Sequence, residues 1–260
     1  MLFPRKRTAS AVLTAIASFV VATAPLLPTV TAQPPFVSAG SPGLVPSHMH
    51  CTKTPGRALS ASTPVRHVMI GASVTRVSAK YLRMRVPGIR IDAVDARSWD
   101  VPGARGGTTL WQAFVSDSAG LGCGDWLIVE NSRVDVPVAM NQQYTERLLA
   151  WLPADVCVEW IIPHDYFDSQ GTDATQVTAA WNAEMALMIH SALSDRPCHA
   201  FVEWDTIVSD ATFRTPNLTP LQRAQWQPLL YDGRHPTPAG RQDLARSVAG
   251  AMLHPLGAQF

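Results

Sequence analysis

The sequence has few charged residues. Lys, Arg, Asp and Glu make up 16% of its 260 residues, against about 25% in an average soluble domain. Hydrophobic residues make up 47%, which argues against disorder over most of the chain, because disordered chains combine low hydrophobicity with high charge. The formal net charge is +1 and the longest basic run is Arg5-Lys6-Arg7, so we expect no nucleic-acid partner.

Those three cations precede an uncharged stretch, 8–30, that is rich in Ala, Val, Leu and Ile. Val30-Thr31-Ala32 then supplies small residues, and the whole pattern predicts a secretory signal peptide over residues 1–32. The alternative is an uncleaved membrane anchor, but Pro25 and Pro28 would interrupt a spanning helix. We therefore expect a secreted or cell-envelope protein with no stable membrane insertion after cleavage.

Two further segments follow the predicted signal peptide. Residues 33–64 contain six prolines and predict a proline-rich leader, which is either extended on the surface or a flexible tether. Residues 65–260 are long enough for one domain with a sizeable core. Without residues 1–32 the chain has 18 basic and 20 acidic residues, so it offers no electrostatic attraction for an anionic membrane surface.

Short apolar runs alternate with longer amphipathic stretches in this domain. The short runs predict strands at Arg66–Ile70, Ile89–Val94, Trp126–Val129, Val156–Ile162 and Ala200–Trp204. The longer stretches predict helices at Ser73–Arg83, Thr109–Asp117, Gln142–Trp151, Thr175–Leu193 and Pro238–Leu253. The last of these begins with a capping hydroxyl, Thr237, before a proline in the first turn. This alternation is typical of a parallel sheet with helices on both faces, so we predict a three-layer α/β/α fold with a five-stranded parallel sheet.

Ligands of such sheets bind at the carboxyl ends of the strands, so the residues that follow each strand are the candidates. Ser73 begins the helix after the first strand, where N–H groups suit a developing oxyanion, or it is a simple N-cap. Gly106 and Gly107 let the backbone approach a ligand, or form an ordinary turn. Asn131 follows the third strand and has an amide that can donate to an oxyanion, or it is a turn residue.

A His–Asp pair near the C-terminus completes this set. Asp232 lies three residues before His235, and an Asp at this spacing can hold the imidazole through Nδ1–H and leave Nε2 to take a proton from a serine. The alternative is a surface ion pair. His164 follows the fourth strand and is a second candidate histidine, but it lacks the Asp232 context.

Four of these segments together resemble the SGNH hydrolases, also called GDSL-like hydrolases. Gly71-Ala72-Ser73-Val74 is similar to the first block of this family, and Gly106-Gly107-Thr108-Thr109 is similar to the second. Asn131 stands where the third block has its Asn. The most specific match is to the fifth block, over Asp232-Gly233-Arg234-His235-Pro236-Thr237-Pro238-Ala239-Gly240. The resemblance covers residues 66–253 and is nearest to the SGNH domains of bacterial surface-glycan O-acyltransferases.

The resemblance implies a flavodoxin-like strand order and a Ser-His-Asp triad. Ser73 would be the nucleophile, His235 the general base and Asp232 the residue that orients it. The oxyanion would be bound by the N–H of Ser73, the N–H of Gly106 and the side chain of Asn131. We expect no cofactor, no metal and a monomer.

The sequence departs from the family pattern at three places. Ala72 replaces an Asp that supports the first loop in the family, and Val129 replaces a Gly two residues before Asn131. Because Gly106 and Gly107 are adjacent, either can be the donor, and the alignment favours Gly106. The pattern Gly-x-Ser-x-Gly of the other large class of serine esterases is absent, since position 75 is Thr.

The function that follows is a secreted serine esterase that cleaves O-acyl esters, acetyl or longer, of a glycan or a lipid. The first alternative is an O-acyltransferase that passes the acyl group to a cell-surface glycan with the same triad. The second is a catalytically silent SGNH-like domain that binds polysaccharide. The partner in each case is a small-molecule, glycan or lipid ester, or the polysaccharide itself.

Four cysteines, Cys51, Cys123, Cys157 and Cys198, predict two disulfides in an exported chain. The absence of a Cys-x-x-Cys pair argues against zinc. Cys157 and Cys198 each lie at the amino end of a predicted strand, so they can pair if those strands are neighbours, and Cys51 would then pair with Cys123. Cys123–Cys157 is an alternative.

Two of the eight tryptophans are candidates for substrate binding. Trp160 and Trp204 lie toward the carboxyl ends of predicted strands, where they can line an acyl or sugar site. Tryptophans in such elements more commonly belong to the core, so both interpretations stay open at this stage.

Overall fold

The structure is a computed structural model, and it describes residues 64–131, 137–164, 172–214 and 228–256. The predicted signal peptide, nearly all of the predicted leader and Cys51 therefore lie outside the described residues. No helix within these four ranges is both long and apolar enough to cross a membrane.

A parallel sheet of five strands forms the centre of the domain. The strands are β1 (His67–Gly71), β2 (Arg90–Ala93), β3 (Trp126–Glu130), β4 (Cys157–Ile161) and β5 (His199–Val202). Their order across the sheet is β2-β1-β3-β4-β5, the flavodoxin-like order. Met69 pairs with Ile91 on one side and with Ile128 on the other, and the same row continues through Glu159 to Ala200. The predicted α/β class and strand number are confirmed.

Within the described ranges, six α-helices cover the two faces of the sheet. They are α1 (Ser73–Arg85), α2 (Leu110–Asp117), α3 (Val138–Trp151), α4 (Thr172–Leu193), α5 (Trp204–Arg214) and α6 (Pro238–Leu253). The first turn of α6 has the predicted cap, because the Thr237 side chain accepts a hydrogen bond from the N–H of Gly240 (3.2 Å) and Pro238 lacks the N–H that this position leaves unpaired.

The helix α5 corrects one sequence-based prediction. The apolar run Ala200–Trp204 predicts a strand up to Trp204, whereas the strand ends at Val202 and Trp204 begins the helix with Asp205 in its first turn. An acidic residue in the first turn is favourable at the positive end of the helix dipole. The apolar side chain of Trp204 therefore belongs to the helix that packs back onto the sheet.

The core consists of two apolar layers on opposite faces of the sheet. One layer joins alternate strand residues such as Val158 to α2, α3 and α4, and the other joins residues such as Ile161 to α1, α5 and α6. Every residue of β3 and β4 is buried, as expected for parallel strands that are covered on both faces. The open edge at the carboxyl ends of the strands is consequently where side chains meet solvent.

A disulfide joins Cys157 to Cys198, with the Cα atoms 4.7 Å apart. This pairing was one of the alternatives that the sequence left open, and it excludes Cys123–Cys157. Cys123 is also disulfide-bonded, and its expected partner lies outside the described residues. The Cys157–Cys198 bridge ties the amino ends of β4 and β5, at the edge of the sheet opposite Ser73.

Candidate active site

Ser73 is the first residue of α1 and follows the end of β1 after one intervening residue. The turn that carries it is tightly packed: a Cβ on Gly71 would lie 2.1 Å from Oγ1 of Thr75 and 2.9 Å from Oε2 of Glu130. Only glycine fits at this position. Ser73 is thereby held at the carboxyl end of the inner strand β1, in the first turn of α1.

Asp232 and His235 lie in a tight loop just before α6. The loop is closed by the hydrogen bond from the Tyr231 N–H to the His235 carbonyl (3.0 Å). Inside it, Oδ1 of Asp232 accepts hydrogen bonds from the backbone N–H groups of His235 (2.7 Å) and Arg234 (3.1 Å). An Asp side chain that binds the backbone two or three residues ahead stabilises such a turn, so this short segment fixes its own geometry.

The side chains of Ser73, His235 and Asp232 form one hydrogen-bonded chain. Nδ1 of His235 lies 2.6 Å from Oδ2 of Asp232, and Nε2 lies 2.9 Å from Oγ of Ser73. Burial acts to raise the pKa of Asp232, but the hydrogen bonds from His235 and Arg234 outweigh it and hold the pKa below its ordinary value. The carboxylate therefore remains ionised at neutral pH, as a group that orients an imidazole must.

A cavity of about 320 Å³ opens directly beside Ser73 and His235. Arg76 and Asp95 line it and form an ion pair, with Nε and Oδ1 2.5 Å apart. Tyr231 also lines it, and its ring stacks on the ring of His235 with centroids 5.6 Å apart. Tyr231 is 59% exposed, so one face of an aromatic ring is presented to whatever occupies the cavity.

The residues expected to bind the oxyanion have different surroundings. Gly106 has a φ of +75° and open space at its Cα, whereas a Cβ on Gly107 would lie 2.9 Å from Cγ1 of Val94. Asn131 is fully buried, and its Nδ2 donates to Oδ1 of Asn141. Within the part of the chain that the structure describes, the two glycines and Asn131 are not among the residues that line the cavity.

The two candidate tryptophans are core residues. Trp160 is 0% exposed and Trp204 is 1% exposed. Trp160 packs on Trp99 with ring centroids 6.2 Å apart. A side chain without accessible surface cannot contact a substrate, so the sequence-based assignment of Trp160 and Trp204 to substrate binding is not retained, and the alternative core interpretation fits both.

The second candidate histidine belongs to a separate cluster. Nδ1 of His164 lies 2.7 Å from Oδ1 of Asp205, which also accepts a hydrogen bond from Nδ2 of Asn182 (3.0 Å). This cluster links the end of β4 to α4 and α5. The histidine hydrogen-bonded to Ser73 is His235.

Sequence reasoning missed two buried charged residues beside Ser73. Glu130 is the last residue of β3 and is 1% exposed, and Arg97 follows β2 and is 0% exposed. Both make hydrogen bonds to the turn between β1 and α1. The available signal was a charged residue at the end of an otherwise apolar strand, since such a residue needs a buried partner.

These features define a class of site: a serine at a helix N-terminus, linked through a histidine to an aspartate, beside an open cavity at the carboxyl edge of a parallel sheet. This geometry is suited to acyl transfer through a serine nucleophile. No group of three or more His, Cys, Asp or Glu side chains that could hold a metal ion occurs within the described ranges.

Solved structures with the same fold include the catalytic domain of an O-acetyltransferase and an acetyl ester hydrolase. The catalytic domain of peptidoglycan O-acetyltransferase A from Streptococcus pneumoniae matches with a TM-score of 0.50 and 16% identity, over 72% of this chain and 92% of that domain. An acetyl xylan esterase variant from Geobacillus stearothermophilus matches with a TM-score of 0.51 and 14% identity, over 72% and 94%. Both are SGNH/GDSL-like hydrolases. No family model and no curated protein sequence matches the chain.

Proposed function

We propose that the protein is an exported serine esterase of SGNH type that cleaves O-acyl esters of a glycan or a lipid. The observation that carries this proposal is the 2.9 Å separation between Nε2 of His235 and Oγ of Ser73. The other ring nitrogen of His235 is hydrogen-bonded to the ionised carboxylate of Asp232. A cavity beside Ser73 gives an ester access to the hydroxyl. Export is supported by the basic and apolar N-terminal segment and by the Cys157–Cys198 disulfide.

In the proposed mechanism, Oγ of Ser73 attacks the ester carbonyl while His235 takes the hydroxyl proton. The bond to the leaving alcohol then breaks, and His235 returns the proton to that alcohol. Water next attacks the acyl-serine with His235 as base. The bond from the acyl carbon to Oγ then breaks, His235 returns the proton to Oγ of Ser73, and the carboxylic acid is released. Asp232 holds the imidazole and stabilises its charged form throughout both steps.

The oxyanion would be bound by the N–H of Ser73, the N–H of Gly106 and the amide of Asn131. Among the described residues the Ser73 N–H has no hydrogen-bond acceptor, and Gly106 combines a positive φ with open space where a Cβ would stand. The role of Asn131 rests on the family pattern alone, because its side chain is buried and its amide already donates to Asn141. Removal of one such donor typically lowers the rate by about 10²- to 10³-fold.

Transfer to an alcohol is the second candidate function. It is favoured by the likeness to the catalytic domain of a peptidoglycan O-acetyltransferase. In that case a glycan hydroxyl instead of water would resolve the acyl-serine, with the same use of His235. Product analysis with an acyl donor and a glycan acceptor distinguishes the two, because only a transferase yields acylated glycan.

Replacement of the nucleophile is the decisive test. We expect Ser73→Ala to abolish turnover of p-nitrophenyl acetate and labelling by a fluorophosphonate probe. Ser78→Ala is the matched control, because Ser78 lies on the same helix, is buried and has no hydrogen-bond partner among the described residues. The control should keep wild-type turnover. Wild-type turnover in purified Ser73→Ala would refute the proposal, and absence of labelling in the wild type would favour a binding domain.

A further inference from the structure

Helix α1 begins without a cap of its own. Its N-cap residue is Ala72, which has no side-chain oxygen, and no side-chain cap is formed there. The first N–H groups of a helix lack acceptors inside the helix, and a capping side chain normally accepts from the second or third of them. In α1 the third is the N–H of Thr75.

The carboxylate of Glu130, at the end of the neighbouring strand β3, accepts the hydrogen bond that a capping side chain would accept. Its Oε2 accepts hydrogen bonds from the N–H of Ala72 (2.8 Å), the N–H of Thr75 (3.3 Å) and the hydroxyl of Thr75 (3.0 Å). Glu130 directly follows Val129, which pairs with Ile70 near the end of β1. The strand pairing therefore brings the carboxylate of Glu130 beside the turn.

Arg97 holds the same turn from the opposite side. Its Nη2 (2.8 Å) and Nε (3.2 Å) both donate to the carbonyl oxygen of Gly71. The Gly71 carbonyl and the Ala72 N–H belong to one peptide group, so a buried cation and a buried anion fix both of its ends. Arg97 is itself anchored by Asp92 and by the hydroxyl of Thr108, which leaves this peptide group little freedom to rotate.

Among the described residues, the backbone N–H groups at the start of α1 that remain without an acceptor belong to Ser73 and the residue after it. Glu130 accepts from the N–H groups of Ala72 and Thr75, and the backbone N–H of Arg76 donates to the Ala72 carbonyl (3.0 Å). The N–H groups of Ser73 and Val74 have no acceptor within the described part of the chain. The carboxylate of Glu130 thus binds the N–H groups of Ala72 and Thr75. It leaves the two N–H groups between them, of which that of Ser73 is the one that an oxyanion would need.

We propose that Glu130 is the positioning residue for Ser73: it caps α1 from β3 in place of the side chain that Ala72 lacks, and so orients the serine hydroxyl and N–H. The inference rests on the proposed function of Ser73. It also explains how α1 begins at Ala72 without a capping side chain of its own, because the capping carboxylate comes from the adjacent strand.

The test compares two glutamates on adjacent strands, both fully buried. Glu130→Leu removes the acceptor, and Glu130→Gln keeps an oxygen of similar reach without the charge. Glu159→Leu is the matched control, because Glu159 is a buried glutamate of β4 whose carboxylate has no hydrogen-bond partner among the described residues. For each variant, kcat and KM for p-nitrophenyl acetate, the fluorophosphonate labelling rate and the melting temperature are measured.

We expect Glu130→Leu to lower kcat and the labelling rate by about 10²-fold with little change in KM, since a displacement of about 1 Å can cost that much. Glu130→Gln should fall between Leu and wild type, and Glu159→Leu should keep wild-type kcat. Wild-type kcat in a folded Glu130→Leu variant would overturn the inference; if that variant does not fold, wild-type kcat in Glu130→Gln would do so. If the proposed function itself is wrong, Ser73→Ala keeps its activity. If only the role of Glu130 is wrong, Ser73→Ala is inactive while the Glu130 variants keep wild-type kcat.

Discussion

Glu159 makes the stability of this domain depend on pH in a direction that can be calculated. The side chain lies in the middle of β4, is 0% exposed, and neither carboxylate oxygen has a hydrogen-bond partner among the described residues. Burial raises the pKa of Glu159 well above its ordinary value of 4.5. The folded protein therefore keeps this carboxyl neutral at a pH where the unfolded chain ionises it.

The sign follows from proton binding. Above pH 4.5 the folded state holds a proton that the unfolded state has lost, so the free energy of unfolding decreases as the pH rises, until the folded pKa is passed. The slope for one proton is up to about 1.4 kcal/mol per pH unit. For a domain of this size, a loss of 1 kcal/mol lowers the melting temperature by about 2–4 °C. The rise from pH 5 to pH 6 alone therefore lowers the melting temperature by about 3–5 °C.

Glu159→Gln isolates this effect, because the amide has the shape of the neutral acid and does not titrate. We expect the melting temperature of the wild type, relative to the variant, to fall by about 3–5 °C between pH 5 and 6. Differential scanning calorimetry of both proteins in matched buffers measures this difference, in which the other titrating groups cancel. Parallel curves for the two proteins would refute the assignment of a neutral, unpartnered Glu159.

Two further predictions concern opposite edges of the sheet. Asp232→Asn should lower kcat for p-nitrophenyl acetate by about 10²- to 10⁴-fold with KM nearly unchanged, because the imidazole loses its ionised partner; steady-state kinetics that show a wild-type kcat would contradict the triad. Removal of the disulfide in Cys157→Ser/Cys198→Ser should lower the free energy of unfolding by about 4 kcal/mol, as estimated from chain entropy for the separation of 41 residues. Urea denaturation measures that loss. Because the bridge lies away from Ser73, kcat below the transition should stay at the wild-type value, and a parallel loss of activity would show that the two edges are coupled.

Much of the fold was predictable because its signals are local. The predicted strands coincide with the observed ones to within one or two residues, since each is a short apolar run between polar turns. The cap at Thr237 and the proline that follows it predicted the start of α6 correctly. The helix α5 was missed because the apolar run up to Trp204 gave no local signal that the strand ends at Val202.

The residues of the site also divide into those that local sequence predicts and those that it does not. The spacing of Asp232 and His235 is local, so their pairing could be anticipated from the sequence. The contacts of Glu130 and Arg97 with the turn before Ser73 depend on which strands are neighbours, and no pattern within one segment contains that information. The burial of Trp160 is likewise decided by the layer of helices packed over its strand, so its position near the strand end was not sufficient to predict exposure.

The distance along the chain between Ser73 and His235, 162 residues, has a consequence for biogenesis. The helices that follow these two residues, α1 and α6, pack against each other on one face of the sheet. A chain that is synthesised from its N-terminus therefore contains the serine long before it contains the histidine that would activate it. In the proposed exported protein, the ability to cleave esters would appear only after α6 has been synthesised and has docked, so shorter chains would be inert toward the esters they meet.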